Sequence, residues 1–139
     1  MTKPFRIVSP IYLKLGKTAK AKNYSLNLNQ YRNNHYRVNA NLKKKYHELM
    51  IPLLEGVTFP GKIGLEFKLY KGSNRISDKS NFLCIVEKFF SDAMVEAGCI
   101  PDDNDDIITY SLYTAGVVDK ENPRCEITIH DLSGVPTSL

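Results

Sequence analysis

From residue 81 to residue 97 the chain reads as a helix that is apolar around most of its circumference. At about 100° per residue, Phe82, Leu83, Val86, Phe89, Phe90, Ala93 and Met94 cover all but one strip of it. Gly98 follows in the position of the left-handed residue that ends a helix. A helix of this kind is largely buried, which obliges the rest of the chain to enclose it. The uncovered strip is a row of three polar groups, with Lys88 and Asp92 each within about 20° of Asn81. A polar row on a buried helix has to face partners or a wet cleft, because an unpaired polar group in an apolar interior is costly.

The flanking patterns supply the enclosure. Ile63, Leu65, Phe67 and Leu69 alternate with Gly64, Glu66, Lys68 and Tyr70, the period of a half-buried strand. Residues 107–118 and 124–130 read as two more strands, the second with Cys125, Ile127 and Ile129 alternating, joined by a turn at 119–123. Residues 5–15 hold two short strand-like runs interrupted by Pro10. Leu42, Tyr46, Leu49 and Leu53 recur at helical spacing and predict a second helix over 42–54, with its last turn disturbed by Pro52. Residues 16–41, polar and rich in asparagine, read as irregular exposed chain. The expected order is β-α-β-α-β-β: an α+β fold with a small mixed sheet and two main helices. With 139 residues and no repeat or linker, a single domain over 1–139 is expected.

Several classes drop out on composition. The longest uninterrupted apolar run is five residues, Phe82 to Val86, against the ~20 that a membrane-spanning helix needs. The start of the chain lacks the apolar stretch of a signal peptide, so a cytoplasmic protein without membrane contact is expected. Cys84, Cys99 and Cys125 are widely spaced and odd in number, which fits free thiols better than disulfides or zinc. No Gly-x-Ser-x-Gly, phosphate-loop or His-Glu-x-x-His motif occurs. His35, His47 and His130 read as surface or packing residues.

Charge is more informative. Residues 1–50 hold eleven lysines and arginines against one acid, a net +10, whereas residues 51–139 carry a net −6. A basic half points to a polyanion partner. Arg32, Arg37, Lys43, Lys44 and Lys45, with Tyr31 and Tyr36 interleaved, are the candidate nucleic-acid-binding residues. On the acidic side, Asp102, Asp103, Asp105 and Asp106 crowd four carboxylates into five positions, an arrangement favoured by a cation. Oxygen-only ligands fit Mg²⁺ or Mn²⁺. The plainer readings stand beside these: an Asp/Asn-rich stretch after a helix makes turns, and Asp78 or Ser80 can cap the helix start.

Asp78-Lys-Ser-Asn81, then Lys88-Phe-Phe-Ser-Asp92-Ala-Met, then Gly98-Cys-Ile-Pro-Asp102-Asp103, together resemble the signature of RusA-type Holliday junction resolvases. That pattern is an Asp-x-Asp-Asn approach, a helix carrying Lys-x-x-x-Asp-Ala-Leu, and Gly-x-x-x-Asp-Asp. The segment 29–37 is similar to the family's Asn/Tyr/Arg stretch. The resemblance implies Asp78, Lys88 and Asp103 as catalytic residues, with Asp78 and Asp103 as Mg²⁺ ligands, Asp102 as a further candidate ligand, and Asn81 and Asp92 in support. It implies a Mg²⁺-dependent endonuclease (Mn²⁺ serving as well) that cleaves branched DNA such as a four-way junction during recombination or repair. Symmetric cuts imply a homodimer. The chain departs from the pattern twice: Ser80 replaces the second approach aspartate, and Lys88 lies one helical turn further from Asn81. The alternative, favoured by Ser80, is a non-catalytic nucleic-acid-binding protein on the same fold.

Overall fold

A computed structural model describes residues 3–74 and 78–134. The fold is α+β. Its strands are β1 (Phe5–Ser9), β2 (Tyr12–Leu15), β3 (Lys22–Ser25), β4 (Ile63–Tyr70), β5 (Ile108–Ala115) and β6 (Arg124–Asp131). The helices are α1 (Leu28–Asn33), α2 (Tyr36–Met50) and α3 (Lys79–Glu96). Four strands form a mixed sheet in the order β1-β6-β4-β5, and β2 and β3 pair as a separate ribbon. β5 runs parallel to β4, with α3 as the crossover, and β6 runs antiparallel to both β4 and β1. Among the described residues no helix is long and apolar enough to cross a membrane.

The period-two segments form as read, with Ile63, Leu65, Phe67 and Leu69 fully buried on one face of β4 beside Cys125, Ile127 and Ile129 of β6. Onto this face packs α3. Phe90 meets Phe67 edge-on at 6.3 Å, while Phe89 turns the other way to Tyr46 of α2 (5.6 Å) and Tyr31 of α1 (6.2 Å). The helix is thus apolar around its girth because it has the sheet on one side and α1 and α2 on another. Gly98 ends it at φ +79°, a conformation glycine adopts without penalty. Tyr46 also reaches β1, where its hydroxyl and that of Ser9 lie 2.7 Å apart, both out of contact with solvent. Burial pushes the Tyr46 phenol up, so it stays a neutral partner in this bond.

Two expectations are corrected. Residues 16–41 are not irregular: they hold β3, α1 and the start of α2, which begins at Tyr36 rather than near Leu42. The stripe on α2 is also different. Met50 and Leu54 are buried (1% and 0% exposed), whereas Leu49 and Leu53 are 44% and 56% exposed. The buried set therefore recurs every four residues from Leu42, and after Met50 the chain tightens into a 3₁₀ turn at Ile51–Leu54 that carries Pro52.

Candidate functional site

The basic and aromatic residues of the first half are positioned by caps. The Asn27 side chain accepts from the Gln30 amide (2.8 Å) and starts α1, while the Gln30 side chain accepts from the Ser25 amide (2.7 Å). His35 starts α2 by accepting from the Arg37 amide on Nδ1 (3.1 Å), a capping role the sequence did not disclose. The Asn39 amide group donates to the Tyr31 carbonyl (2.8 Å) and fixes the corner between the two helices.

At that corner the three helices enclose a cleft of about 330 Å³ lined by Tyr31, Tyr36, Lys43, Lys88 and Asp92, among others. Tyr31 stands edge-on to Phe89, and the Lys88 ammonium lies 6.0 Å from the Tyr31 ring centre, the outer limit of a cation–π contact. Tyr36 is 70% exposed and stacks on His35 at 4.5 Å, with the Arg37 guanidinium 5.9 Å from its ring. Lys43 forms an ion pair with Asp92 at 3.0 Å, and the hydrogen bond its ammonium donates to the Asp92 carboxylate raises the Lys43 pKa above its ordinary value. Both partners are well exposed, so the pair contributes at most about 1 kcal/mol to folding. Arg32 and Lys44 are exposed, and Lys45 is half-buried.

Lys88 and Asp92 of the polar row on α3 therefore face this wet cleft, whereas Asn81 lines a separate one beside Phe82 and Gly72, and Asp92 neutralises one of the first cleft's own cations. Asp92→Asn is expected to release Lys43; if the cleft takes nucleic acid, non-specific DNA binding tightens by about fivefold near 0.15 M salt, the worth of one phosphate contact. A titration of duplex DNA by fluorescence anisotropy at several salt concentrations measures it, with the slope of log K against log salt steepening by about 0.9.

The carboxylates lie elsewhere. Asp78 is the N-cap of α3: its exposed carboxylate accepts from the Ser80 amide (3.0 Å), and bonding to Ser80 holds its pKa below the usual carboxylate range. Asp102 and Asp103 lie past the other end of the helix. There the Asp102 carboxylate accepts from the Asp103 amide (2.8 Å) and the Asn104 side chain (3.1 Å), while the Asn104 side-chain oxygen accepts from the Asp106 and Ile107 amides. The loop is thus an ordered turn that leaves the Asp103 carboxylate exposed and outside these bonds.

Within one chain the structure does not unite the three residues expected to act together. The eighteen residues of α3 span about 27 Å, so Asp78 and Asp103 stand at opposite ends of the domain. Lys88 is about 15 Å along the helix from Asp78, in the aromatic cleft. The physical reason is that the interposed sequence is one straight helix that cannot fold back on itself. Among the described residues no three His, Cys, Asp or Glu side chains converge as a metal centre requires. A single chain thus offers Mg²⁺ separated carboxylates, not a shared ligand set. Asn81 is half-buried near the Asp78 end, its amide bonded to the Asp78 carbonyl (3.1 Å).

Three polar arrangements escaped the sequence reading. Glu87, on the flank of α3, accepts from the Ser111 and Tyr113 hydroxyls and ties the helix to β5. His47 bonds Glu96 across α2 and α3 through Nδ1, leaving its buried Nε2 without a partner among the described residues. His130 pairs with Glu66 at 3.0 Å on the sheet face away from the helices. Of these only Glu87 carried a signal, as an acid inside an apolar helix. No protein-family model matches the chain, and no curated protein does.

Proposed function

We propose that the protein binds branched DNA through the cleft between α1, α2 and α3 and, as a two-fold pair, cleaves its phosphodiesters as the resemblance to RusA-type resolvases implies. The observation that carries this reading is the convergence of Lys43, Lys88, Tyr31 and Tyr36 from three elements in one cleft. Phosphates meet cations there, and an unpaired base meets ring faces. Arg32, Arg37, Lys44 and Lys45 extend the cationic surface along α1 and α2. Binding of this kind depends little on sequence and strongly on salt.

Cleavage requires a second copy. With Asp78 and Asp103 at the two ends of one helix, only an antiparallel neighbour brings the Asp78 end of one chain beside the Asp103 end of another. A two-fold axis creates two such junctions, which suits paired cuts in a four-way junction. A Mg²⁺ or Mn²⁺ ion held there would polarise the scissile phosphate and supply a nucleophilic water.

The second reading is a DNA-binding protein without catalysis. The observation favouring it is that the Asp78 carboxylate already serves as a helix cap and that Ser80 offers a hydroxyl where the pattern has another acid. A labelled four-way junction, incubated with Mg²⁺, Mn²⁺ or a chelator, separates the two. Metal-dependent nicks that disappear with Asp103→Asn support the nuclease; tight binding without nicks under every condition supports the binder. Lys88→Ala is expected to lower binding about fivefold and cleavage with it, since Lys88 belongs to the cleft and not to either carboxylate end. Full binding with lost cleavage would instead set Lys88 at the scissile phosphate.

A further inference from the structure

We infer that the exposed ring of Tyr36, backed by His35, is a stacking platform for one unpaired base, so that the cleft selects nucleic acid with single-stranded nucleotides over an unbroken duplex. The inference deepens the nucleic-acid reading of the cleft and rests on it, but not on cleavage. Among the described tyrosines and phenylalanines Tyr36 is the most exposed, at 70% against 42% for Tyr110. A single exposed ring is ordinary on a protein surface. This one is held in place. It occupies the first position of α2, and the imidazole of His35 lies against it, with ring centres 4.5 Å apart and planes inclined by 30°. His35 is itself fixed, because its Nδ1 accepts from the Arg37 amide and caps the helix. The Tyr36 ring is therefore set on a rigid element, supported by a second ring and otherwise open to solvent.

The other tyrosines differ in this respect. Tyr31 is half-buried and edge-on to Phe89 at 6.2 Å, with the Lys88 ammonium 6.0 Å from its ring centre, so it is engaged as a wall of the cleft. Tyr110 lies against the backbone at Gly64, where an added Cβ would come within 2.1 Å of its ring, and so covers the sheet.

The surroundings of Tyr36 identify what stacks on it. Lys43 and Lys88 line the cleft with it, the Arg37 guanidinium is 5.9 Å from its ring centre, and Arg32 is exposed on α1. Asp92 is the acid that lines the same cleft. A ring beside a surplus of cations suits a planar group carried on a polyanionic backbone, which is a nucleotide strand. A base inside a duplex has a neighbour on each face and cannot lie on Tyr36 without leaving its stack. An unpaired base can, and such stacking tolerates any sequence because every base has a π-face.

Titrations followed by fluorescence anisotropy compare a single strand of deoxyadenylate, a strand of the same length made of abasic nucleotides, and an unbroken duplex. The parent is expected to favour deoxyadenylate over the abasic strand by about tenfold, the worth of one stacked base. Tyr36→Ala should remove that preference while leaving duplex binding within about twofold, and Tyr36→Phe should keep it. Alanine on the exposed side of a helix leaves the fold intact. The chain contains no tryptophan, so Tyr36→Trp supplies a lone reporter whose emission falls when a base stacks on it. Deoxyadenylate should quench it and the abasic strand should not. His35→Asn retains a capping side chain and removes the ring behind Tyr36. Added to Tyr36→Trp, it is expected to weaken the quenching while helix content by circular dichroism stays unchanged. A parent that binds both single strands equally overturns the platform and leaves the binding cleft standing. So does a preference that survives Tyr36→Ala, or a Tyr36→Ala loss that is as large for duplex. A protein that holds none of the three probes removes the nucleic-acid reading and the platform with it.

Discussion

Phe90→Ala is expected to cost about 3–5 kcal/mol of folding stability, the range for truncating a fully buried phenylalanine. That is a large share of the ~5–15 kcal/mol that holds a typical domain together. Phe90 has no exposure and stands at the contact between α3 and β4, edge-on to Phe67, which is itself edge-on to Tyr113 at 5.8 Å. Its ring is a wedge between two layers, so its removal opens a void that neither rigid element can close. Urea unfolding followed by circular dichroism measures the effect, with the midpoint falling and the slope unchanged. Phe82→Ala, at a half-buried position on the same helix, should cost less than half as much. A loss below about 1 kcal/mol at Phe90 would mean that the layers collapse onto each other more freely than this packing allows.

The second large effect concerns nucleic acid. Reversing two charges at once, with Arg37→Glu and Lys44→Glu, should weaken junction binding by about a hundredfold near 0.15 M salt and reduce the salt slope by about two. Both residues are exposed on α2, and neither is part of an ion pair among the described residues. Lys62→Glu with Lys68→Glu makes the same change in net charge just before and within β4, where Lys68 faces away from α3. If that pair weakens binding as much, affinity follows overall charge and the α2 face is not the binding surface.

What could be read from the residues depended on whether burial left a period. β4, β6 and α3 were legible because each buries a repeated face, and Gly98 because only a positive φ ends a helix in that way. Residues 16–41 were not legible because α1 buries no residue completely and so leaves no apolar stripe. Its determinants are Asn27, Gln30 and His35, whose capping bonds look in sequence like mere polarity. On α2 the spacing pointed to Leu49 and Leu53, whereas the 3₁₀ turn carrying Pro52 buries Met50 and Leu54 instead. The cleft between α1, α2 and α3 was foreshadowed by Lys88 and Asp92 of the polar row on α3. The separation of Asp78 from Asp103 was not legible, because residues that frame a helix are close in the pattern and far apart in space.

The strand order has a consequence for how the chain can be made. Of the described strands β6 is the last to be synthesised, yet it lies in the interior of the sheet, between β1 and β4. Until it emerges, β1 has no sheet neighbour: Phe5 waits for Ile129 and Ser9 for Cys125, across more than a hundred residues of intervening chain. What can assemble earlier is local, namely the β2–β3 ribbon and the unit of β4, α3 and β5. Completion is thus a late pairing of one strand with β4 on one side and β1 on the other, and such long-range pairing makes folding slow and leaves the β4 edge open meanwhile. For a nascent chain on the ribosome, the vulnerable interval runs from the appearance of β4 to the release of β6, and a chaperone that guards this protein would have its work at that gap.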